Sequence, residues 1–232
     1  MARLITTVGF DADDTLWHNE RFFQLTQELF AELLAPYWEE GDLMAALTAA
    51  ERRNIGHYGF GIKGFMLSMI ETAIEVTQAR VPATVIAELI RVGQEMLRHP
   101  IELLPHAEEV VRDVAQSHRI VLITKGDLLD QERKLAQSGL GELFHGVEIV
   151  SDKRRAVYER IFAVQGDGAA RAMMVGNSMK SDVGPMVEAG GWGVYVPHGT
   201  VWALEHADPP HSPKFAELVD LSALPKLLAD LD

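Results

Sequence analysis

Carboxylates, a hydroxyl and an ammonium group follow apolar, β-branched runs at intervals along the chain. Asp11 and Asp13 come directly after the first run, Thr124 closes a second, and Lys153 and Asp182 follow two later runs. Asp11 and Asp182 offer hard oxygen atoms suited to Mg²⁺, and a bound metal suppresses the repulsion between a carboxylate nucleophile and a phosphate. The chemistry that this set would support is covalent transfer of a phosphoryl group to Asp11, which divides a hydrolysis into two easier steps.

The remaining polar groups have complementary roles in such a reaction. The Thr124 hydroxyl can donate to a phosphoryl oxygen, and the backbone N–H groups of Lys125 and Gly126 lie at a predicted helix N-terminus, which favours anions. Lys153 supplies a positive charge that balances phosphate and carboxylate. Asp13 is placed to act as general acid toward the leaving oxygen and then as general base toward water.

Strands that alternate with helices would bring these side chains together. The predicted strands cover residues 4–10, 119–124, 147–150, 172–175, 193–196 and 215–219, and helical patterns lie between the later ones. This alternation predicts an α/β fold, a Rossmann-like, doubly wound and mostly parallel sheet. Because ligands bind beyond the carboxyl ends of the strands in such sheets, we expect the polar residues to meet at one edge.

A long helical segment separates the first strand from the others. Residues 17–98 contain apolar residues at helical spacing and no good strand pattern. We therefore predict an inserted all-helical cap domain at residues 17–98 and a catalytic core made of residues 1–16 and 99–232.

Several polar residues of the cap segment are candidates for substrate contacts. A glycine-rich bend at residues 54–64 contains His57, Tyr58 and Lys63, and His18 lies where the chain enters the segment. The alternative is that the bend is an ordinary connection between helices with surface side chains.

Composition limits the range of partners. The chain has 21 Lys and Arg against 34 Asp and Glu, so its formal net charge is 21 − 34 = −13. A field of this sign repels nucleic acid and anionic lipid headgroups, so neither is expected as a partner. The chain has no Cys, which excludes disulfides, thiolate metal sites and Cys nucleophiles. It has no recognisable targeting or membrane-spanning stretch, which predicts a cytoplasmic protein.

Four segments resemble the motifs of the haloacid dehalogenase superfamily, in the same order and across nearly the whole chain. They are FDADDTLW at 10–17, LITKG at 122–126, VSDK at 150–153 and VGNSMKSD at 175–182. The helical insert after the first motif is similar to the first cap type of that family. The resemblance implies Asp11 as nucleophile, Asp13 as acid and base, and Thr124 and Lys153 as phosphate ligands. It also implies Mg²⁺ held by Asp11, the Asp13 carbonyl and Asp182.

Two positions bear on the activity within that family. Many relatives carry Asp where this chain has Asn177, whose carbonyl can still bind or orient the metal. The alternative is that Asn177 is the N-cap of the following helix. Dehalogenating relatives lack the second Asp of the first motif, since displacing a halide needs no leaving-group acid. The presence of Asp13 therefore favours phosphate transfer.

We predict from these patterns a Mg²⁺-dependent phosphomonoester phosphatase that acts on a small phosphorylated metabolite. A phosphomutase stays open as an alternative, as does a phosphonate-cleaving enzyme that would use Lys63 to form a Schiff base. A non-catalytic protein that binds a phosphorylated ligand would be expected to have lost Asp11 or Asp13, and both are present.

Overall fold

The computed structural model describes residues 4–38, 40–199 and 202–231. The chain divides into two compact units. The first comprises Met1–Glu20, Ile101–Lys125 and Gln131–Asp232, and the second comprises Arg21–Pro100 and Gly126–Asp130. The short second segment of the helical unit, Gly126–Asp130, was not anticipated from the sequence.

The first unit is built on a parallel sheet. Its strands are β1 (Thr7–Phe10), β2 (Arg119–Lys125), β3 (Gly146–Val150), β4 (Ala172–Gly176), β5 (Trp192–Tyr195) and β6 (Phe215–Glu217). They lie in the order β3-β2-β1-β4-β5-β6, and every neighbouring pair is parallel. This is the doubly wound arrangement, whose order reverses at β1 and β4, and it confirms the predicted α/β fold. Phe10 pairs with both Leu122 and Val175, so the first, second and fourth strands end at one edge.

The helices of the first unit lie between its strands along the chain, except for the last helix, which follows β6. They are α5 (Ala107–Ala115), α6 (Leu128–Ser138, of which the first residues group with the helical unit), α7 (Arg155–Gln165), α8 (Gly184–Glu188) and α9 (Leu224–Leu231). Alternate residues of β2 face two separate hydrophobic clusters. Ile120 and Leu122 belong to the cluster that includes α5 and α9, whereas Val121 and Ile123 belong to the cluster that includes Tyr158 of α7. The central strands are thus buried on both faces, which explains their continuous apolar sequences.

The second unit is helical. Its helices are α1 (Glu20–Leu34, which begins at the last residue of the first unit), α2 (Leu43–Tyr58), α3 (Ile62–Val76) and α4 (Ala83–Arg98). They share a core that includes Phe30, Leu47, Met69 and Leu89. Asp42 caps α2 by accepting a hydrogen bond from the backbone N–H of Ala45 at 2.9 Å. Within the described ranges, every helix is too short or too polar to cross a lipid bilayer.

Two predicted element boundaries were wrong for identifiable reasons. The helical pattern predicted between the fourth and fifth strands is divided into a π-helical turn, Met179–Val183, and the short helix α8. Pro185 has no N–H to continue an α-helical ladder through this point. The bend predicted at residues 54–64 is shorter, because α2 continues to Tyr58 and α3 begins at Ile62. The backbone breaks between them at Gly59, whose φ is +74°.

Candidate active site

Asp11 is the first residue after β1 and is buried. Its backbone N–H donates to the Val175 carbonyl at 2.9 Å, which holds it against β4. One carboxylate oxygen contacts the Lys153 ammonium, and the other accepts a hydrogen bond from the Thr15 hydroxyl at 3.1 Å. Burial raises the pKa of Asp11 to about 7; Lys153 opposes this shift, and the neighbouring Asp182 adds to it.

Lys153 joins Asp11 to Asp182. Its Nζ contacts Asp11 Oδ1 and lies 2.7 Å from Asp182 Oδ1, and all three side chains are more than nine-tenths buried. Burial alone would lower the pKa of Lys153, but the two carboxylates outweigh it and raise the pKa above its ordinary value. The carboxylates of Asp11 and Asp182 therefore share a single cation, although 171 positions separate them in the sequence.

The π-helical turn Met179–Val183 presents the Asp182 side chain. Ser178 caps the turn by accepting from the Ser181 N–H at 2.9 Å, and its own N–H donates to Asp182 Oδ2 at 3.0 Å. Gly176 closes β4 directly beneath this carboxylate, because a Cβ at that position would lie 2.2 Å from Asp182 Oδ2. Single π-helical turns of this kind occur frequently at functional sites.

Asp13 is held in a separate network of donors. Its Oδ1 accepts from the Trp17 indole N–H at 2.7 Å and from Lys134 Nζ at 2.9 Å, and its Oδ2 accepts from Gln131 Nε2 at 2.8 Å. Lys134 also donates to the Asn19 side-chain oxygen at 2.8 Å. The sequence interpretation missed Gln131 and Lys134, whose spacing of three on α6 places both on one helix face, where both are buried.

Thr124 and Lys125 end β2. Thr124 is buried, and its hydroxyl donates to the Lys125 carbonyl at 3.3 Å. The Lys125 ammonium donates to Ser181 Oγ at 2.8 Å and forms an ion pair with Glu205 at 2.6 Å. The next residue, Gly126, has a φ of +142°, which favours glycine.

Asn177 is tied to the first motif through its backbone. Its N–H donates to Thr15 Oγ1 at 3.1 Å, and its side-chain oxygen lies 3.4 Å from the same hydroxyl. The N-cap of the following turn is Ser178, so the alternative reading of Asn177 as that cap was wrong. Thr15 thus links Asp11 and Asn177, a bracing role within the site.

The sequence model of the haloacid dehalogenase-like hydrolases matches residues 5–190, which is most of the chain. The chain belongs to this hydrolase family. A crystal structure of a haloacid dehalogenase-like family hydrolase from Xanthomonas campestris is 40% identical over 99% of this chain and 93% of that chain, with a TM-score of 0.89. These matches confirm the family resemblance of the four motifs. A search of the curated proteins found no match.

More distant solved structures share the fold. The HAD-hydrolase YfnB from Bacillus subtilis, bound to magnesium, is 17% identical over 98% of this chain and 99% of that chain, with a TM-score of 0.65. L-2-haloacid dehalogenase from Xanthobacter autotrophicus, with chloropropionic acid covalently bound, is 18% identical over 98% of this chain and 100% of that chain, with a TM-score of 0.67. At these identities the likeness concerns the fold alone.

The carboxylate oxygens that this chain brings together fit a magnesium ion. Among the residues that the structure describes, no group of three or more His, Asp and Glu side chains converges on one point. Mg²⁺ does not require such a group, since it usually keeps several waters and binds one or two protein carboxylates. Asp11 and Asp182 already meet at one cation, the Lys153 ammonium, and with both carboxylates ionised the cluster of these three side chains carries one excess negative charge.

The segment that leads from the hydrolase core into α1 is ordered by Asp14. Its carboxylate accepts from the backbone N–H groups of Asn19 at 2.9 Å and Glu20 at 2.8 Å. Burial raises the pKa of Asp14 to about 6, although these two hydrogen bonds lower it. His198 Nε2 lies 3.6 Å from the same carboxylate, and the His198 ring is 5.2 Å from that of His18 between centroids. The structure therefore places His18 at this entry segment.

In the helical unit, the residues predicted to contact the substrate lie at the end of α2 and at the start of α3. His57 and Tyr58 occupy the last turn of α2, where Tyr58 is exposed. The Lys63 ammonium donates to both carboxylate oxygens of Asp127, at 3.0 and 2.9 Å, within that unit. The pKa of Asp127 is lowered; burial would raise it, but the Lys63 contact and backbone hydrogen bonds outweigh that effect.

Proposed function

We propose that this hydrolase is a Mg²⁺-dependent phosphomonoester phosphatase that forms a phospho-aspartyl intermediate on Asp11. The observation that carries the proposal is the arrangement in which Asp11 and Asp182 share the buried Lys153 ammonium. It supplies a nucleophile, a positive charge for the phosphoryl oxygens and two oxygen ligands for a metal. The substrate is a small phosphorylated metabolite, and the helical unit is the cap that selects it.

The first unit contains the residues that the proposed reaction requires. The Asp11 carboxylate attacks phosphorus, the ester P–O bond breaks, and the leaving oxygen takes a proton. Water then attacks the same phosphorus, the bond to Asp11 breaks, and inorganic phosphate is released. Lys153 and the Thr124 hydroxyl bind the phosphoryl oxygens, while Thr15 orients Asp11.

Mg²⁺, held by Asp11 and Asp182, would neutralise charge between the carboxylate and the phosphate. Asn177 would orient the site through its hydrogen bonds with Thr15. The ion would also lower the net negative charge that Asp11 and Asp182 present to a phosphate ester. That local compensation matters in a chain whose overall charge is −13 and repels phosphate esters.

We assign to Asp13 the proton transfers to the leaving oxygen and from the attacking water. The ionised form of Asp13 accepts hydrogen bonds from Lys134, Gln131 and Trp17. This form suits the second step, in which Asp13 takes a proton from water. In the first step it must carry a proton to the leaving oxygen, and Oδ2, which accepts only the Gln131 hydrogen bond among these three, has a second lone pair that can hold that proton.

A carbon–halogen hydrolase is the second candidate. The observation in its favour is the same donor network, because a halide leaves without a proton and the ion pair of Asp13 with Lys134 could then persist throughout the reaction. In that reaction the Asp11 carboxylate would attack the carbon that bears the halogen, halide would leave, and water would cleave the resulting ester. The phosphonate-cleaving alternative is less suited to this chain, since the Lys63 ammonium is paired with Asp127.

A substrate panel tests the proposal. Purified protein with Mg²⁺ is offered p-nitrophenyl phosphate, a set of sugar, nucleoside and carboxylic acid phosphates, and a set of 2-haloacids. We expect phosphate release from at least one ester, loss of that release in Asp11→Asn, and no halide release. Halide release without phosphate release would support the second candidate, and phosphatase activity that survives Asp11→Asn would refute the covalent mechanism.

A further inference from the structure

Glu205 is a partly buried carboxylate outside the four motifs. It lies in the connection between β5 and β6, on the 3₁₀ turn Ala203–Glu205, and only 15% of its side chain is exposed. Its Oε1 pairs with Lys125 Nζ at 2.6 Å, and its Oε2 accepts from Ser178 Oγ at 2.6 Å and from Ser181 Oγ. One carboxylate therefore contacts the residue after Thr124, the N-cap of the turn that carries Asp182, and one residue within that turn.

Every hydrogen bond in this network has a defined direction. A carboxylate can only accept and an ammonium can only donate. Ser181 Oγ therefore accepts from Lys125 and donates to Glu205, and Ser178 Oγ accepts from the Ser181 N–H and donates to Glu205. Replacement of Glu205 by Gln would place an amide N–H₂ group, which can only donate, against partners that all donate to this position.

The charge of Glu205 is compensated by its partners. Burial would raise its pKa, but the Lys125 charge and the hydrogen bonds from Lys125, Ser178 and Ser181 outweigh that effect and lower it. Glu205 in turn neutralises the Lys125 ammonium. Lys125 therefore links the end of β2 to the turn that carries Asp182.

We infer that Glu205 is a positioning residue for the proposed metal site, because it fixes the turn that presents Asp182. Ser178 is the direct link, since its backbone N–H donates to Asp182 Oδ2 while its hydroxyl donates to Glu205. The inference rests on the proposed function and assigns a role to a loop that carries none of the four motifs. Residues that orient metal ligands typically contribute on the order of 10- to 100-fold to metal affinity.

The test is calorimetric titration of the whole protein with Mg²⁺ alone, with no substrate. We expect Glu205→Gln to weaken Mg²⁺ binding on the order of 10-fold or more, and Ser181→Ala to weaken it less. The matched control is Glu159→Gln, which makes the same replacement in an exposed ion pair on α7 and should leave the affinity unchanged. Ser181→Ala also serves as the test if Glu205→Gln does not fold.

The outcomes separate this inference from the proposed function. Unchanged Mg²⁺ affinity in Glu205→Gln, with only a lower melting temperature, would overturn the positioning role and leave the phosphatase proposal intact. Weaker Mg²⁺ binding in a protein whose wild type hydrolyses no phosphate ester would support the positioning role and refute the phosphatase. A wild type that binds no Mg²⁺ would overturn both.

Discussion

Glu51 gives a prediction whose size follows from its surroundings. It lies on α2, is 7% exposed, and its Oε2 has no hydrogen-bond partner among the described residues. Burial raises the pKa of this carboxyl from 4.5 to about 7. At about 1.4 kcal/mol per pKa unit, the ionised form costs the folded helical unit about 3 kcal/mol. We therefore expect Glu51→Gln to stabilise this unit at neutral and higher pH.

The sign of the pH dependence is fixed by the direction of the shift. Below a pH of about 4.5 the carboxyl is protonated in both the folded and the unfolded chain, and it imposes no penalty. As the pH rises from 4.5 to about 7, the unfolded chain loses the proton first, so folding stability falls. Above about 7 the full penalty applies. The advantage of Glu51→Gln should therefore grow by about 2 kcal/mol between about pH 5.5 and about pH 8.

Hydrogen exchange of amides in α2 and α3 provides the assay, because it reports the opening free energy of this unit separately from that of the sheet. Glu32→Gln on α1 is the control, since Glu32 is exposed, and it should show no such pH-dependent gain. Equal pH dependence of the opening free energy in Glu51→Gln and in the wild type would refute the reasoning.

Three further substitutions probe the proposed site. Lys153→Met leaves two buried carboxylates without their counter-charge and should lower the free energy of unfolding by about 3–5 kcal/mol in Mg²⁺-free buffer, as measured by urea denaturation. Lys134→Met removes the ammonium that holds Asp13 and should lower kcat on the order of 10-fold or more, with KM nearly unchanged, because proton transfer depends on orientation. Gly176→Ala forces Asp182 to move and should weaken Mg²⁺ binding in calorimetry.

Each of these expectations has a contrary outcome. A Lys153→Met protein as stable as the wild type would mean that the two carboxylates do not depend on this ammonium. A higher kcat in Lys134→Met would mean that the ion pair restrains Asp13 rather than positions it. Unchanged Mg²⁺ affinity in Gly176→Ala would remove Asp182 from the metal site.

The sheet could be predicted because each of its strands, and the helices between them, can be recognised from a short stretch of sequence. The β-branched runs in the sequence and the helical spacing between them defined the parallel sheet, and its topology then brings Asp11 and Asp182 to one edge. Proximity of the residues at the strand ends follows from the general rule that parallel strands end together, whereas Asp182 lies beyond the end of β4 and reaches the site through the turn Met179–Val183.

The surrounding network could not be predicted in the same way. Gln131 and Lys134 read as ordinary polar residues of a surface helix, and only tertiary packing buries them against Asp13. Glu205 lies in an irregular connection without periodicity, whose path depends on the groups that it meets. The π-helical turn at Met179–Val183 likewise depends on Pro185 and on the Ser178 cap rather than on helix propensity.

The covalent role of Asp11 can be measured directly. A phosphate ester that the enzyme hydrolyses is mixed with excess protein in water enriched in heavy oxygen, the reaction is quenched rapidly, and the peptide that contains Asp11 is analysed by mass spectrometry. We predict a phosphoryl group on this peptide early in the reaction and heavy oxygen only in the released phosphate. Turnover with no phosphoryl group on Asp11 at any time, or with heavy oxygen in the Asp11 carboxylate, would contradict the account.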